Sequence, residues 1–200
     1  MSAELKTGQI AKASPRCTAR IAGALYSFAI VTAVLGEFVI HGKLGLALGL
    51  ALGLIAVACY LAVTLLVYAI FQPVSRILSL VAVGFSCAGL ALEALRWDPR
   101  GIDVAMVLHA VYCGLIGYLA FRSTFLPRIL GVLMMFAGVV WLTNLSPALA
   151  SSLVPYGTIA GLVGEAALML WLLVFGLNVQ RWMERATAAR RLRSPRPMHA

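Results

Sequence analysis

The sequence predicts an all-α, polytopic membrane bundle of six transmembrane helices, and three observations carry that prediction. Apolar residues fill 62% of the 200 positions and charged residues only 12%, a balance that a soluble domain would not carry. The apolar residues gather into six runs, each near the length of about 20 residues that a helix needs to cross about 30 Å of hydrocarbon. Lys and Arg crowd the segments that alternate topology would place on one side of the membrane.

The first run, Ile21–Ile40, follows a polar stretch and is too long for the apolar core of a signal peptide, so it reads as a retained first helix. The second, Leu44–Phe71, is long enough to tilt. It carries Gly45, Gly49 and Gly53 at steps of four, a small-residue ridge that continues toward Tyr60 and Thr64. Such a ridge is a packing surface, and a homodimer seam is its second reading. Gln72-Pro73 leads into the third run, Ile77–Leu95, and Trp97-Asp98-Pro99-Arg100-Gly101 into the fourth, Val104–Phe121. Arg122-Ser123-Thr124 precedes the fifth, Ile129–Leu145. The fourth and fifth runs are short, which favours upright helices or a locally thinned bilayer. Ser146-Pro147 separates off the sixth, Tyr156–Val179. The domain reading is therefore a basic N-terminal tail over 1–19, a six-helix domain over 20–180 and an Arg-rich tail over 181–200.

Six crossings put both termini on one side. That side takes Lys6, Lys12, Arg16, Arg20, Arg76, Arg122, Arg128, Arg181, Arg185, Arg190, Arg191, Arg193 and Arg196, and the other takes Lys43, Arg96 and Arg100. The asymmetry predicts cytoplasmic termini. The net charge of +9 is then a cytoplasmic belt whose partner is the anionic lipid surface, not nucleic acid. Cys59, Cys87 and Cys113 lie one per run near mid-membrane with no C-x-x-C pair, and read as small core residues. Cys17, beside the start of the first run, could accept an acyl chain. Trp97, Trp141 and Trp182 fall near span boundaries and read as interfacial anchors.

Arg20-Ile21, Arg76-Ile77 and Arg128-Ile129 open three inward-to-outward helices, with Pro73 and Pro127 ahead of two of them. Glu37 follows Arg20 at the same spacing as Glu93 follows Arg76, with Asn144 near that step in the third copy. Three repeated helical hairpins are one account, and the topology alone is the other.

Candidate chemistry rests on four ionisable residues inside the runs: Glu37, Glu93, His109 and Glu165. A charge in hydrocarbon costs about 2.5 kcal/mol or more at the centre, so such residues face a bundle interior or a wet cavity. All four thread near the outer surface, Glu165 deepest, on faces shared with small residues such as Gly89 and Ser86 or Gly157 and Gly161. The leading reading is a non-enzymatic, outward-facing pocket that binds a small cation, a proton or a polar ligand, and that extends to transport. Glu165 and His109 are its main contacts, Glu37 and Glu93 shape its field, and Tyr112 and Asn144 adjoin it. A second reading makes Glu37, His109 and Glu165 ligands of a divalent metal in an intramembrane enzyme. A third makes the protein a structural or partner-binding subunit, with the acids incidental: Glu93 beside Arg96, Glu37 wet at the boundary, Asn144 capping its helix. A b-type haem would want two facing histidines, and His41 and His199 fall in a loop and a tail.

The stretches Ala19-Arg20-Ile21-Ala22-Gly23-Ala24-Leu25-Tyr26 and Gly36-Glu37-Phe38 resemble the start of a bacterial family of small integral membrane proteins known only as a domain of unknown function. His109 ahead of Gly117-Tyr118-Leu119, the run Leu126-Pro127-Arg128-Ile129-Leu130-Gly131-Val132-Leu133, and Gly164-Glu165 ahead of Leu170-Trp171 continue the resemblance. The resemblance implies six helices and a bacterial cytoplasmic membrane. It also sets Glu37, His109 and Glu165 on positions where similar sequences carry the same residue types. It brings no activity or cofactor, and the link between helices two and three is shorter here than the family pattern.

Overall fold

The computed structural model describes residues 14–41, 45–97, 99 and 102–191, without the side chains of 37–41 and 46. The expectations for Lys6, Lys12, Lys43, Arg100, Arg193, Arg196 and the Glu37 side chain therefore lie outside the described residues.

The described chain is all-helical. The spans are α1 (Pro15–His41), α2 (Leu46–Phe71), α3 (Arg76–Leu95), α4 (Val104–Arg122), α5 (Arg128–Trp141) and, after two short elements, α7 (Tyr156–Val174). A 3-10 turn, Leu142–Leu145, and the short helix α6, Pro147–Leu153, link α5 to α7, and α8 (Val179–Arg191) closes the described chain. Six helices are long and apolar enough to cross a bilayer, α5 counting with its 3-10 extension to Leu145. Local chemistry sets most ends. Ser75 and Asp103 cap α3 and α4 by accepting from the backbone N–H of Leu78 and Met106. Arg96, at φ 49°, ends α3 in the left-handed region.

The sixth run was expected to continue to Val179, and here the structure differs. α7 stops at Val174 and the chain turns at Gly176, at φ 70°, whose N–H returns to the Trp171 carbonyl. Asn178 then starts α8 by accepting from Arg181 N–H. The Arg-rich stretch read as a tail is helical to Arg191.

The six spans form a closed ring in sequence order, with α1 against α2, α2 against α3, α3 against α4, α4 against α5, α5 against α7, and α7 back against α1. The outer surface is apolar: Phe28, Leu54, Leu65, Ile77, Phe136, Val139 and Val163 are all exposed, as lipid-facing positions should be. Backbones meet where glycine allows it. A Cβ on Gly131 would lie 2.5 Å from Phe121 N and 2.6 Å from Gly117 O, so α4 and α5 touch through their main chains. The α2 ridge is used inside the chain. A Cβ on Gly36 of α1 would meet Gly49 O at 3.2 Å and Gly53 N at 3.3 Å, while Gly45 is exposed.

The related starts of α1, α3 and α5 place equivalent faces inward. Six residues after each arginine stand Tyr26, Ala82 and Met134, all buried. The faces correspond and the chemistry does not.

One end of the ring gathers the arginines. Arg20 donates to the Val174 carbonyl at 3.1 Å, tying the start of α1 to the end of α7. α8 lies across the same end. Asn178 N–H donates to Phe125 O, Arg181 to Thr124 O at 3.2 Å, and the Trp182 indole to Ile70 O at 2.9 Å. Trp182 is thus a hydrogen-bonded clasp rather than a simple interfacial anchor.

Candidate functional site

The centre of the ring is polar. Glu165 is 3% exposed, midway along α7, with its carboxylate on the ring axis. Oε1 accepts from the Trp141 indole at 2.6 Å and lies 2.9 Å from His109 Nε2. Oε2 accepts from Tyr26, and more distantly from Tyr60 at 3.3 Å. Tyr60 in turn donates to the Tyr26 hydroxyl at 2.8 Å. Cys113 Sγ sits 3.3 Å from His109 Nε2 and 3.8 Å from Glu165 Oε1. An ionised carboxylate offers about four lone-pair directions, and the Trp141 N–H, the Tyr26 O–H and the His109 ring converge on this one, with the Tyr60 hydroxyl at longer range. Among the described residues no buried side-chain N or O atom lacks a partner.

Register explains the meeting. Measured from the arginine-rich end, Glu165, Cys113, Tyr60, Tyr26, His109 and Trp141 all lie about 14 to 20 Å up their own helices. α5 ends at that level, so Trp141 turns inward where a full-length span would have continued. Gly161, one turn before Glu165, leaves the space. A Cβ there would stand 2.6 Å from the Trp141 ring. Trp141, expected at the interface, is 8% exposed and belongs to the core because a hydrogen-bond acceptor waits for its N–H.

Above the cluster opens a cavity of about 290 Å³ that runs away from the arginine-rich end. Its walls are apolar, from Ala33 and Val34 on α1, Gly53 and Val57 on α2, and Leu90 on α3. Its floor is Tyr60, His109, Trp141 and Glu165, and Glu93 and Arg96 flank the far end.

Of the residues singled out from sequence, Glu165 and His109 come into direct contact. Tyr112 is buried with its ring 5.9 Å from that of His109, and it does not line the cavity. Glu93 lines the cavity from an exposed position some turns above the cluster. Asn144 donates to the Trp141 carbonyl at 3.0 Å, closing the end of α5 rather than reaching the pocket. Sequence reasoning did not find Tyr26, Tyr60, Trp141 or Cys113. Two signals were present: Tyr60 continues the α2 glycine stripe, and His109 and Cys113 stand four apart on one helix face. Among the described residues, the metal-ligating geometry centres on His109, Cys113 and Glu165, and the Glu37 side chain lies outside them.

Residues 88–176 match a protein family described as Domain of unknown function (DUF4386). The matched segment holds His109, Cys113, Trp141 and Glu165, and α1 and α2, which supply Tyr26 and Tyr60, lie outside it. No curated protein and no solved structure matched the chain.

Proposed function

We propose that this multi-pass membrane protein binds a small amphipathic molecule, apolar body in the cavity and polar head on the Glu165 cluster. One observation carries the reading: an apolar cavity of about 290 Å³ that ends on a buried carboxylate. Small-molecule sites combine apolar walls with few, well-placed polar groups, and start at about this size. Tyr60 holds Oε2 only at 3.3 Å and faces the cavity, so its contact is the one an incoming head group exchanges. A hydroxyl or ammonium head can replace that donor without stranding the carboxylate.

The arginine-rich end is the cytoplasmic end in this reading, which makes the cavity outward-facing, and the family resemblance supports the bacterial cytoplasmic membrane. α8 lies on the anionic lipid surface, its arginines toward the headgroups. Movement of the ligand across the bilayer would require the packed, arginine-rich half to open.

The test uses chain-brominated decylamine, decanol and decanoate added to the protein in lipid nanodiscs, with tryptophan quenching as the readout. Saturable quenching by the amine or alcohol, lost in Glu165→Gln and Gly53→Phe, supports the proposal. Quenching that rises linearly and equally in all three proteins is bilayer partition and overturns it.

A further inference from the structure

We propose that His109, Cys113 and Glu165 form a binding site for one divalent transition-metal ion of zinc type, with an open coordination position facing the cavity. This deepens the cavity reading by naming what would hold a ligand's polar end, but metal capture itself rests only on the three side chains.

Geometry comes first. His109 Nε2 and Glu165 Oε1 are 2.9 Å apart, Cys113 Sγ and Nε2 are 3.3 Å apart, and Sγ and Oε1 are 3.8 Å apart. A point equidistant from three atoms so spaced lies about 2 Å from each. An ion displaced about 1 Å from their plane then meets zinc–nitrogen and zinc–oxygen bond lengths and comes near the zinc–sulfur length. No helix has to move to bring the donors together. His109 and Cys113 are held one turn apart on α4, and Glu165 faces them from α7.

The donor set has its own chemistry. A thiolate, an imidazole and a carboxylate suit a borderline-soft cation over magnesium or calcium, which prefer all-oxygen shells. Three protein ligands leave a tetrahedral ion one position short, the pattern of sites that hold water or a ligand rather than structural sites. That position has a direction. His109 and Glu165 line the cavity and Cys113, fully buried, lies behind them. Trp141 and Tyr26 already fix the carboxylate from outside, the support that ligating carboxylates usually receive.

Charge balance permits the ion. A dication with one thiolate and one carboxylate makes a neutral unit, as a His109 imidazolium beside the Glu165 carboxylate does without metal, so binding adds no net charge near mid-membrane. Neutral units are far cheaper in hydrocarbon. Binding balances as follows: the Cys113 thiol proton and the imidazolium Nε2 proton leave to solvent, Nδ1 keeps its own, and no electron is transferred.

The experiment adds cobalt(II) to metal-free, full-length protein in nanodiscs, with Cys17, Cys59 and Cys87 changed to serine. The expected result is one cobalt per chain with a near-ultraviolet thiolate-to-cobalt absorption. Cys113→Ser should abolish that absorption, and His109→Gln should weaken binding by more than the factor of about ten that losing a ligand's supporting hydrogen bond costs. Helical circular dichroism and a single elution peak confirm that each variant is folded, and Cys113→Ala serves if the serine variant is not. Folded protein that shows no absorption at saturating cobalt, or an absorption that persists without Cys113, overturns the proposal. Repeating the brominated-chain titration on both forms separates the two readings. Cobalt uptake without chain binding upholds the metal site and sinks the amphipathic pocket. Chain binding without cobalt uptake does the reverse. A head preference that moves from amine to carboxylate on metal loading upholds both.

Discussion

The two halves of the ring, below and above Glu165, are built differently. Below it, Ile70, Phe71, Leu119, Leu130 and Leu172 fill the axis, and the Phe71 and Phe125 rings stand 6.0 Å apart under the clasp of α8. Above it, α1, α2 and α3 leave a cavity between them, although α1 and α2 still meet closely at Gly36 and Gly49. Five of the six spans run through both halves and α5 ends at the level of the cluster, so the difference lies in architecture as well as in side-chain size. It teaches that the polar cluster is a floor: dry packing on one side, access on the other.

The largest expected effect removes that floor. Glu165→Leu strands the Trp141 indole N–H and the Tyr26 hydroxyl in the core. A buried donor left without an acceptor costs about 1–3 kcal/mol, so the two together cost roughly 2–6 kcal/mol. Denaturant titration in mixed micelles should show a loss of that size, together with loss of chain quenching. Stability within 1 kcal/mol of the parent, about the median cost of any mutation, would show that the cluster is incidental. Next comes the packed seam. Gly131→Val forces α4 and α5 apart and should cost about 1–3 kcal/mol by the same titration, with ligand binding altered only through stability.

A smaller effect tests the clasp. Trp182→Phe deletes one hydrogen bond to Ile70 O, about 1 kcal/mol, and should quicken amide exchange at the ends of α2 and α8 without touching the cavity. The smallest, and opposite in sign, is Gly53→Ala in the open half. A Cβ there meets nothing within 4 Å. The substitution should stabilise the protein by up to about 1 kcal/mol through helix propensity. Destabilisation instead would mean that this wall of the cavity closes in the bilayer.

The fold was legible because hydropathy is a long-range average, and errors at single residues do not disturb it. The six runs match the six spans, apart from the break at Gly176 that the apolar Leu177 and Val179 concealed. The site was legible only where burial was costly. Glu165 and His109 announce themselves because an ionisable group in an apolar run needs a reason. Tyr26, Tyr60, Trp141 and Cys113 do not, because each is an ordinary core residue until an acceptor stands opposite it. Trp141 was further disguised by its place near the end of a run, where tryptophans usually mark the interface. Only the register between α5 and α7, set by Gly161, reveals that it points inward. Glu93 and Asn144 show the converse: Glu93 lines the cavity but stands above the cluster on α3, and Asn144 is engaged by the Trp141 carbonyl in the turn beyond α5.

Glu165 also has a mechanical meaning. Through one pair of oxygens it fastens α7 to α1, α2, α4 and α5, so five of the six spans share a single non-covalent rivet. The glycine seams and the clasp of α8 hold elements in pairs, whereas this contact ties five spans at once, so neutralising or displacing it loosens all five together. Whatever occupies the cavity therefore touches the fastener of the whole ring, and a local exchange of partners there has a route to the entire bundle.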